Sequence, residues 1–283
     1  MRKRLTQSYK AYLFLLPAFS LWVLFAGWPF IEVIRLSLVK TNFITTEFVG
    51  LQNFIKTLSS TSFWGSLGNT LFYAVLILSG ELLVVICISL LGFHMTKKWQ
   101  DWIRLVVYIP VLSAGIIIAQ VWKWIYHVNG PINFIFEKLG FDKIAFFNTS
   151  AVGIPAISII MVYQCMGAFV ILLMANMLSI NKEILDAAKI DGANTGQINR
   201  KIILPMMARP ISMLSLLMLI SAFQFVETIM MLAPYEHTAN ITYHIYQEAF
   251  VFSRYGIGSA QAILLMILII GLTLLKNRVE KNG

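Results

Sequence analysis

The chain has 283 residues, 58% of them hydrophobic and 12% charged, with a mean hydropathy of +0.77, a balance that excludes an ordinary water-soluble domain of this length. The net charge of +9 comes from 22 Lys and Arg against 13 Asp and Glu. These basic residues are scattered between apolar stretches rather than gathered on one domain, which argues against a nucleic-acid partner.

A hydrocarbon core of about 30 Å requires roughly 20 apolar residues in a helix. Six segments meet that length: residues 11–38, 71–93, 105–124, 152–177, 210–232 and 255–275. All are apolar around most of their circumference, and none alternates as barrel strands do, so the expected fold class is all-α with six membrane-spanning helices. The first has the basic start of a signal peptide, but its uncharged run over 11–31 is too long for one, so it reads as an uncleaved span. The only cysteines, Cys87 and Cys165, fall inside spans, which supports neither a disulfide framework nor a zinc site.

Lys and Arg fix the orientation. With the N-terminus inside, fifteen of the 22 lie on the inner side and seven on the outer. Both termini are therefore expected in the cytoplasm, with outer segments near 39–70, 125–151 and 233–254 and a second inner loop at 178–209. Of the carboxylates within spans, Glu81 and Glu227 are the two good candidates. An ionisable residue at that depth is a functional candidate by default, although Glu81 reads more readily as a protonated or interhelically bonded structural residue. Ser221, Gln224 and Glu227 follow one another at intervals of three, giving the fifth span a polar stripe. Tyr163 and Gln164 sit beside Gly167 in the fourth. Such stripes serve as helix–helix glue somewhat more often than as ligand sites, but these two flank the second inner loop.

That loop reads as two short helices. Asn181 is expected to cap the first, over 182–191, Gly192 to supply a left-handed stop, and Thr195 to cap a second that runs to about Ile203 before Pro205 and Pro210. Ile184, Leu185, Ala187 and Ala188 form one partly small-residued apolar face. An amphipathic inner loop lying on the membrane would look much the same; the spacing points elsewhere. Asp186, Ala187 and Ala188 are followed by three residues, Gly192, nine residues, Ile202, one residue, Leu204 and Pro205.

This pattern resembles the EAA loop of membrane subunits in binding-protein-dependent ABC importers, with Asp186 in place of the usual glutamate. Other stretches are similar to the carbohydrate-uptake branch, in particular the maltose-type and glycerol-phosphate-type first permease: YLFLLPAFSLWVLFAGWPFIEVIRLSL, GNTLFY, RLVVYIP, WKWIYHVNGPINFIFEKLG, IDGA and IYQEAFVFSRYGIGSAQA. One departure is Leu232, Ala233, Pro234 and Tyr235, where many relatives carry a Thr-Gly-Gly-Pro turn. The resemblance implies a single transmembrane permease domain over 1–283 of type I importer architecture, in a bacterial cytoplasmic membrane. Its coupling loop would dock an ATPase through Glu183, Asp186, Ala187, Ala188, Gly192, Ile202, Leu204 and Pro205. It also implies a second permease subunit in a heterodimer, two copies of an ABC ATPase, an external solute-binding protein, and a sugar or oligosaccharide as cargo passing Tyr163, Gln164, Ser221, Gln224 and Glu227. No cofactor is expected in this chain; ATP and Mg²⁺ belong to the ATPase.

What the residues lack agrees. There is no glycine-rich phosphate loop followed by Lys-Ser or Lys-Thr. The four histidines, including His237 and His244, show no metal-ligand spacing, and no intramembrane protease motif is present. A stand-alone secondary transporter is the alternative, with Glu81 and Glu227 as coupling charges, but it gives no reason for the loop's spacing. A membrane-anchored scaffold would not need polar stripes within its spans.

Overall fold

Long apolar runs with few breakers leave the backbone in lipid one economical arrangement, the helix, and the chain takes it almost throughout. The computed structural model describes residues 2–41, 45–232 and 237–282, with side chains over 12–41, 45–232 and 237–278. Helix α1 (Arg2–Trp22) passes through a π turn at Val23–Gly27 into α2 (Trp28–Ser37). A two-stranded antiparallel ribbon absent from the sequence reading follows, β1 (Val39–Thr41) on β2 (Thr46–Phe48), with Lys40 opposite Glu47. Helix α3 (Gln52–Leu58) is tied back to it by Asn53, whose buried amide donates to the Ser37 and Val39 carbonyls, each at 2.9 Å.

Helix α4 (Thr61–Phe93) starts ten residues before the expected span. Ser66, Thr70, Tyr73, Ile77, Glu81, Val85 and Ser89 recur every three or four residues as its buried stripe. Helix α5 (Lys97–Leu112) ends at Ser113 and Ala114, both extended, and α6 (Gly115–Ile125) leaves at 96°. The straight span expected over 105–124 is thus two helices. Pro110 lacks the N–H that would continue the ladder near this break, and apolar composition alone carries no record of the bend.

After α7 (Pro131–Lys138) comes α8 (Ser150–Leu178), half of whose most apolar window is buried. The inner segment holds α9 (Lys182–Ile190), α10 (Thr195–Ile198), a π turn at Asn199–Ile203 and α11 (Leu204–Met206). Then α12 (Ala208–Gln224) departs at 67° from the helical run Thr195–Met206. Span five, read as continuous over 210–232, breaks at Phe225 and Val226 before α13 (Glu227–Leu232). Helix α14 (Ile241–Tyr246), a third π turn at Gln247–Val251 and α15 (Tyr255–Asn282) complete the chain. Residues 233–235, where the sequence departs from the expected turn, lie outside the described residues. Two of the π turns stand in the same relation to a proline: Pro29 and Pro205 each follow one residue after the turn, so the carbonyl ladder widens where an N–H donor is missing.

The chain divides into two compact units, residues 1–63 with 244–270 and residues 64–243 with 271–283. In the first, Gly256 and Gly258 allow close backbone approach, an added Cβ on Gly258 meeting Ala249 at 2.8 Å, and His244 shares a 3.0 Å hydrogen bond with Gln261. In the second, Val170, Leu173, Met174 and Met177 of α8 pack with Val85, Val107, Ile203, Leu214 and Met218. Lipid is as apolar as these side chains, so close fit rather than exclusion from water holds the helices together. Glycines provide that fit: Gly80 against Val162, Gly92 against Met174, and Gly167 against the Val107 carbonyl.

Candidate functional site

The inner segment is built as a rigid elbow. Asn181 caps α9, its side chain accepting from the Glu183 N–H at 3.0 Å. At the other end Gly192 has φ +82°; its N–H donates to the Lys189 carbonyl at 3.0 Å and the Ala193 N–H to the Ala188 carbonyl at 2.9 Å. This is the paired closure that ends a helix on a left-handed glycine. The cap of the next helix is Asn194, one residue before the expected Thr195, and it forms a full capping box with Gln197 at 2.9 and 2.8 Å. Two closed helix ends therefore meet across Asp191, Gly192 and Ala193, leaving the joint little freedom.

None of the α9 residues is buried. The apolar face expected from Ile184, Leu185, Ala187 and Ala188 divides. Leu185 and Ala188 lean on the core, whereas Ile184, Ala187 and Ile190 point outward, Ile190 at 87% exposure. Lys182, Glu183 and Asp186 are exposed beside them, and Asp186 pairs with Lys189 at 3.0 Å, an exposed pair of little energetic weight. Ile202 and Leu204 are half-buried and Pro205 is exposed; Ile203, between the motif positions, is the side chain fully enclosed by the core.

The second cluster lies where α6 and α13 begin. Glu227 opens α13, and a Cβ built on Gly115 at the start of α6 would come within 2.9 Å of its carboxylate Oε2 and 3.0 Å of the Gln164 Nε2 on α8. Two helix breaks and one continuous helix thus bring Gln164 and Glu227 to one glycine. The Gln164 Oε1 is buried without a hydrogen-bond partner among the described residues. Tyr163 is 39% exposed and meets Trp122 edge-on at 5.8 Å. The polar stripe read over Ser221, Gln224 and Glu227 is not one helical face. Gln224 is the exposed last residue of α12, Glu227 the first of α13, and Ser221 Oγ is committed to the Met218 carbonyl at 2.8 Å. Asn240 and Thr242, unremarked in the sequence, hold the break open. Asn240 Nδ2 donates to the Phe225 carbonyl at 2.6 Å and Thr242 Oγ1 to the Phe223 carbonyl at 2.8 Å, satisfying acceptors that the ended helix leaves free. Glu81 is fully buried on α4, with neither carboxyl oxygen hydrogen-bonded among the described residues; of the two structural readings, protonated or interhelically bonded, the second finds no partner there.

Residues 84–282 match the family described as binding-protein-dependent transport system inner membrane component. The chain belongs to this family. It is accordingly a multi-pass membrane component of a transport system. A probable ABC transporter permease protein of Pyrococcus horikoshii is 28% identical over 264 residues, 90% of each chain. The trehalose/maltose transport system permease protein MalF of Thermococcus litoralis is 28% identical over 276 residues, 95% of this chain and 93% of that one. Among solved structures, a bacterial alginate ABC transporter in complex with alginate pentasaccharide-bound periplasmic protein has a chain that superposes with a TM-score of 0.87 at 22% identity, covering 99% of this chain and 96% of that one. The likeness extends to α1 and α2, which precede the residues matched by the family. The all-α membrane fold expected from the spans, and the importer architecture implied by the resemblance, are the observed ones, with the third and fifth spans broken.

Proposed function

We propose that this permease forms half of a translocation pathway completed by a second, different permease subunit. A separate ABC ATPase, consuming ATP with Mg²⁺, docks on the elbow of α9 and α10, and an extracytoplasmic solute-binding protein delivers a carbohydrate. Both termini and the elbow lie in the cytoplasm. The observation that carries this reading is the elbow itself: a helix closed at both ends, seated on the core through Leu185 and Ala188 and exposed on its other face, transmits a push from a partner without absorbing it. Asp186, Ala187, Glu183 and Ile190 are its contact surface, and Gly192 sets its angle.

The cargo passes the junction of Gln164, Glu227 and Gly115, with Gln224 and Tyr163 nearby in sequence. Amide, carboxylate and aromatic groups match a sugar's hydroxyls and its apolar ring face. The names of the relatives, which specify trehalose, maltose and alginate, support the same class of cargo. With the breaks of spans three and five beside this junction, access alternates by rigid movement of the helices around a fixed site. The test is reconstitution in sealed vesicles. Labelled oligosaccharide should accumulate only when this chain, a second permease, the ATPase, the binding protein and ATP are all present; accumulation driven by an ion gradient through this chain alone would overturn the reading.

A further inference from the structure

Two neighbouring cavities in the second compact unit share Arg104. The first, about 830 Å³, lies between the turn after α4 and the elbow of α9 and α10. Its lining carries Lys97, Arg104, Lys182 and Lys189 against one carboxylate, Asp186, a formal excess of three positive charges as four cations less one anion. Arg104 and Lys189 have exposed carboxylate partners in Asp101 and Asp186, at 3.1 and 3.0 Å. Lys97 and Lys182 have none within ion-pair distance among the described residues. The rest of the lining is mixed, with Phe93, Ile180, Leu185 and Ile198 beside His94, Gln100, Asn194 and Thr195.

The second cavity, about 320 Å³, is a shallow groove with the paired Asp101 and Arg104 at one end, continuing along Leu105, Tyr108, Ile109 and Leu112 of α5 with Ile171 of α8. From Arg104 to Leu112 the helix advances about 12 Å. Trp99 and Trp102, 60% and 52% exposed, flank the cationic end; indoles so placed settle at the headgroup level, which puts the cations at headgroup depth and the groove in hydrocarbon.

A free phosphate would occupy the first cavity and leave the groove unused. An amphiphile with an anionic head uses both. We propose that the two cavities form one site for an anionic phospholipid, its phosphodiester held among Lys97, Arg104, Lys182 and Lys189 and one acyl chain laid along Leu105, Ile109 and Leu112. The site needs only that α5 enters the bilayer and stands apart from the cargo pathway. Because Lys182 and Lys189 lie on α9, the lipid head also ties the elbow to Lys97 and Arg104.

The experiment is native mass spectrometry of the purified transporter in detergent, titrated with phosphatidylglycerol or phosphatidylcholine. One phosphatidylglycerol should bind in preference to phosphatidylcholine. Lys97→Gln with Lys182→Gln removes two exposed charges and should weaken that binding about thirtyfold, leaving phosphatidylcholine unaffected. Asp186→Asn, which raises the local charge, should strengthen it, so the two variants move in opposite directions and a folding defect cannot imitate both. Ile109→Asp should weaken it by spoiling the groove. Equal phosphatidylglycerol retention in the parent and the double lysine variant overturns the site. Full displacement of the lipid by inorganic phosphate, with parental affinity in Ile109→Asp, overturns the lipid assignment in favour of a free anion.

Discussion

Gly192 owes its place to backbone conformation alone. A Cβ there would meet nothing within 4 Å, yet φ is +82°. An L side chain costs about 1–2 kcal/mol in that conformation, and least for Asn, whose short polar side chain tolerates it. In the assembled transporter, Gly192→Val is expected to lower cargo-stimulated ATP hydrolysis several-fold and Gly192→Asn to retain most of it; equal rates in both variants would separate the turn from coupling. Gln164 presents the opposite case. Its Oε1 is buried and has no hydrogen-bond partner among the described residues, so an apolar replacement relieves a desolvation cost of about 1–3 kcal/mol. Gln164→Leu should leave the thermal midpoint unchanged or raised while uptake of the cargo sugar falls. A parallel loss of stability and uptake would make the side chain structural. Burial also pushes the Tyr126 phenol, enclosed by Trp122, Phe146 and Phe147, up to about 12, a sign of how dry the outer end of α6 is.

At the scale of elements, contact between α5 and α8 depends on Gly167, where a methyl group would strike the Val107 carbonyl. Backbone cannot yield as a side-chain tip can, so Gly167→Ala forces the helices apart at about 1–3 kcal/mol. The same substitution at Gly68, where an added Cβ meets nothing within 4 Å on α4, improves helix propensity at no steric cost. Thermal unfolding in detergent should therefore separate the pair, Gly167→Ala melting lower than the parent and Gly68→Ala at or above it. Similar midpoints would show that α5 and α8 do not pack through this glycine. The breaks at Ser113–Ala114 and Phe225–Val226 follow another rule. Irregular backbone is tolerated at membrane depth where side chains satisfy it, as Asn240 and Thr242 do for α12.

For the molecule as a whole, the fifteen-to-seven division of Lys and Arg predicts that both termini and the segment carrying α9 and α10 face the cytoplasm. Ile190 is the natural reporter, since it is 87% exposed and takes no part in either cap. In cells that lack the ATPase, which would cover this position, Ile190→Cys should resist an impermeant thiol reagent applied from outside and react once the membrane is opened. Labelling from outside would reverse the topology and remove the elbow from any cytoplasmic ATPase.

Composition and local chemistry by themselves determined that the chain is helical, that it crosses the membrane repeatedly, and that the inner segment ends one helix at Gly192 and begins another within three residues. These are properties of contiguous residues: twenty apolar side chains suffice for a span, and a cap needs only its own turn. The Asn181 cap and the glycine stop were legible for that reason, and the EAA spacing marked the same segment as the candidate for coupling. Tertiary structure alone decided that spans three and five are broken, that Ile203 rather than Ile202 fills the core, and that Gln164 meets Glu227 across Gly115. A bent span has the same apolar composition as a straight one, and the acceptors it frees are satisfied by Asn240 and Thr242, some fifteen and nineteen residues further along the chain. Whether a polar residue at that depth binds cargo, glues helices or braces a turn depends on which distant backbone it faces, and only packing determines that.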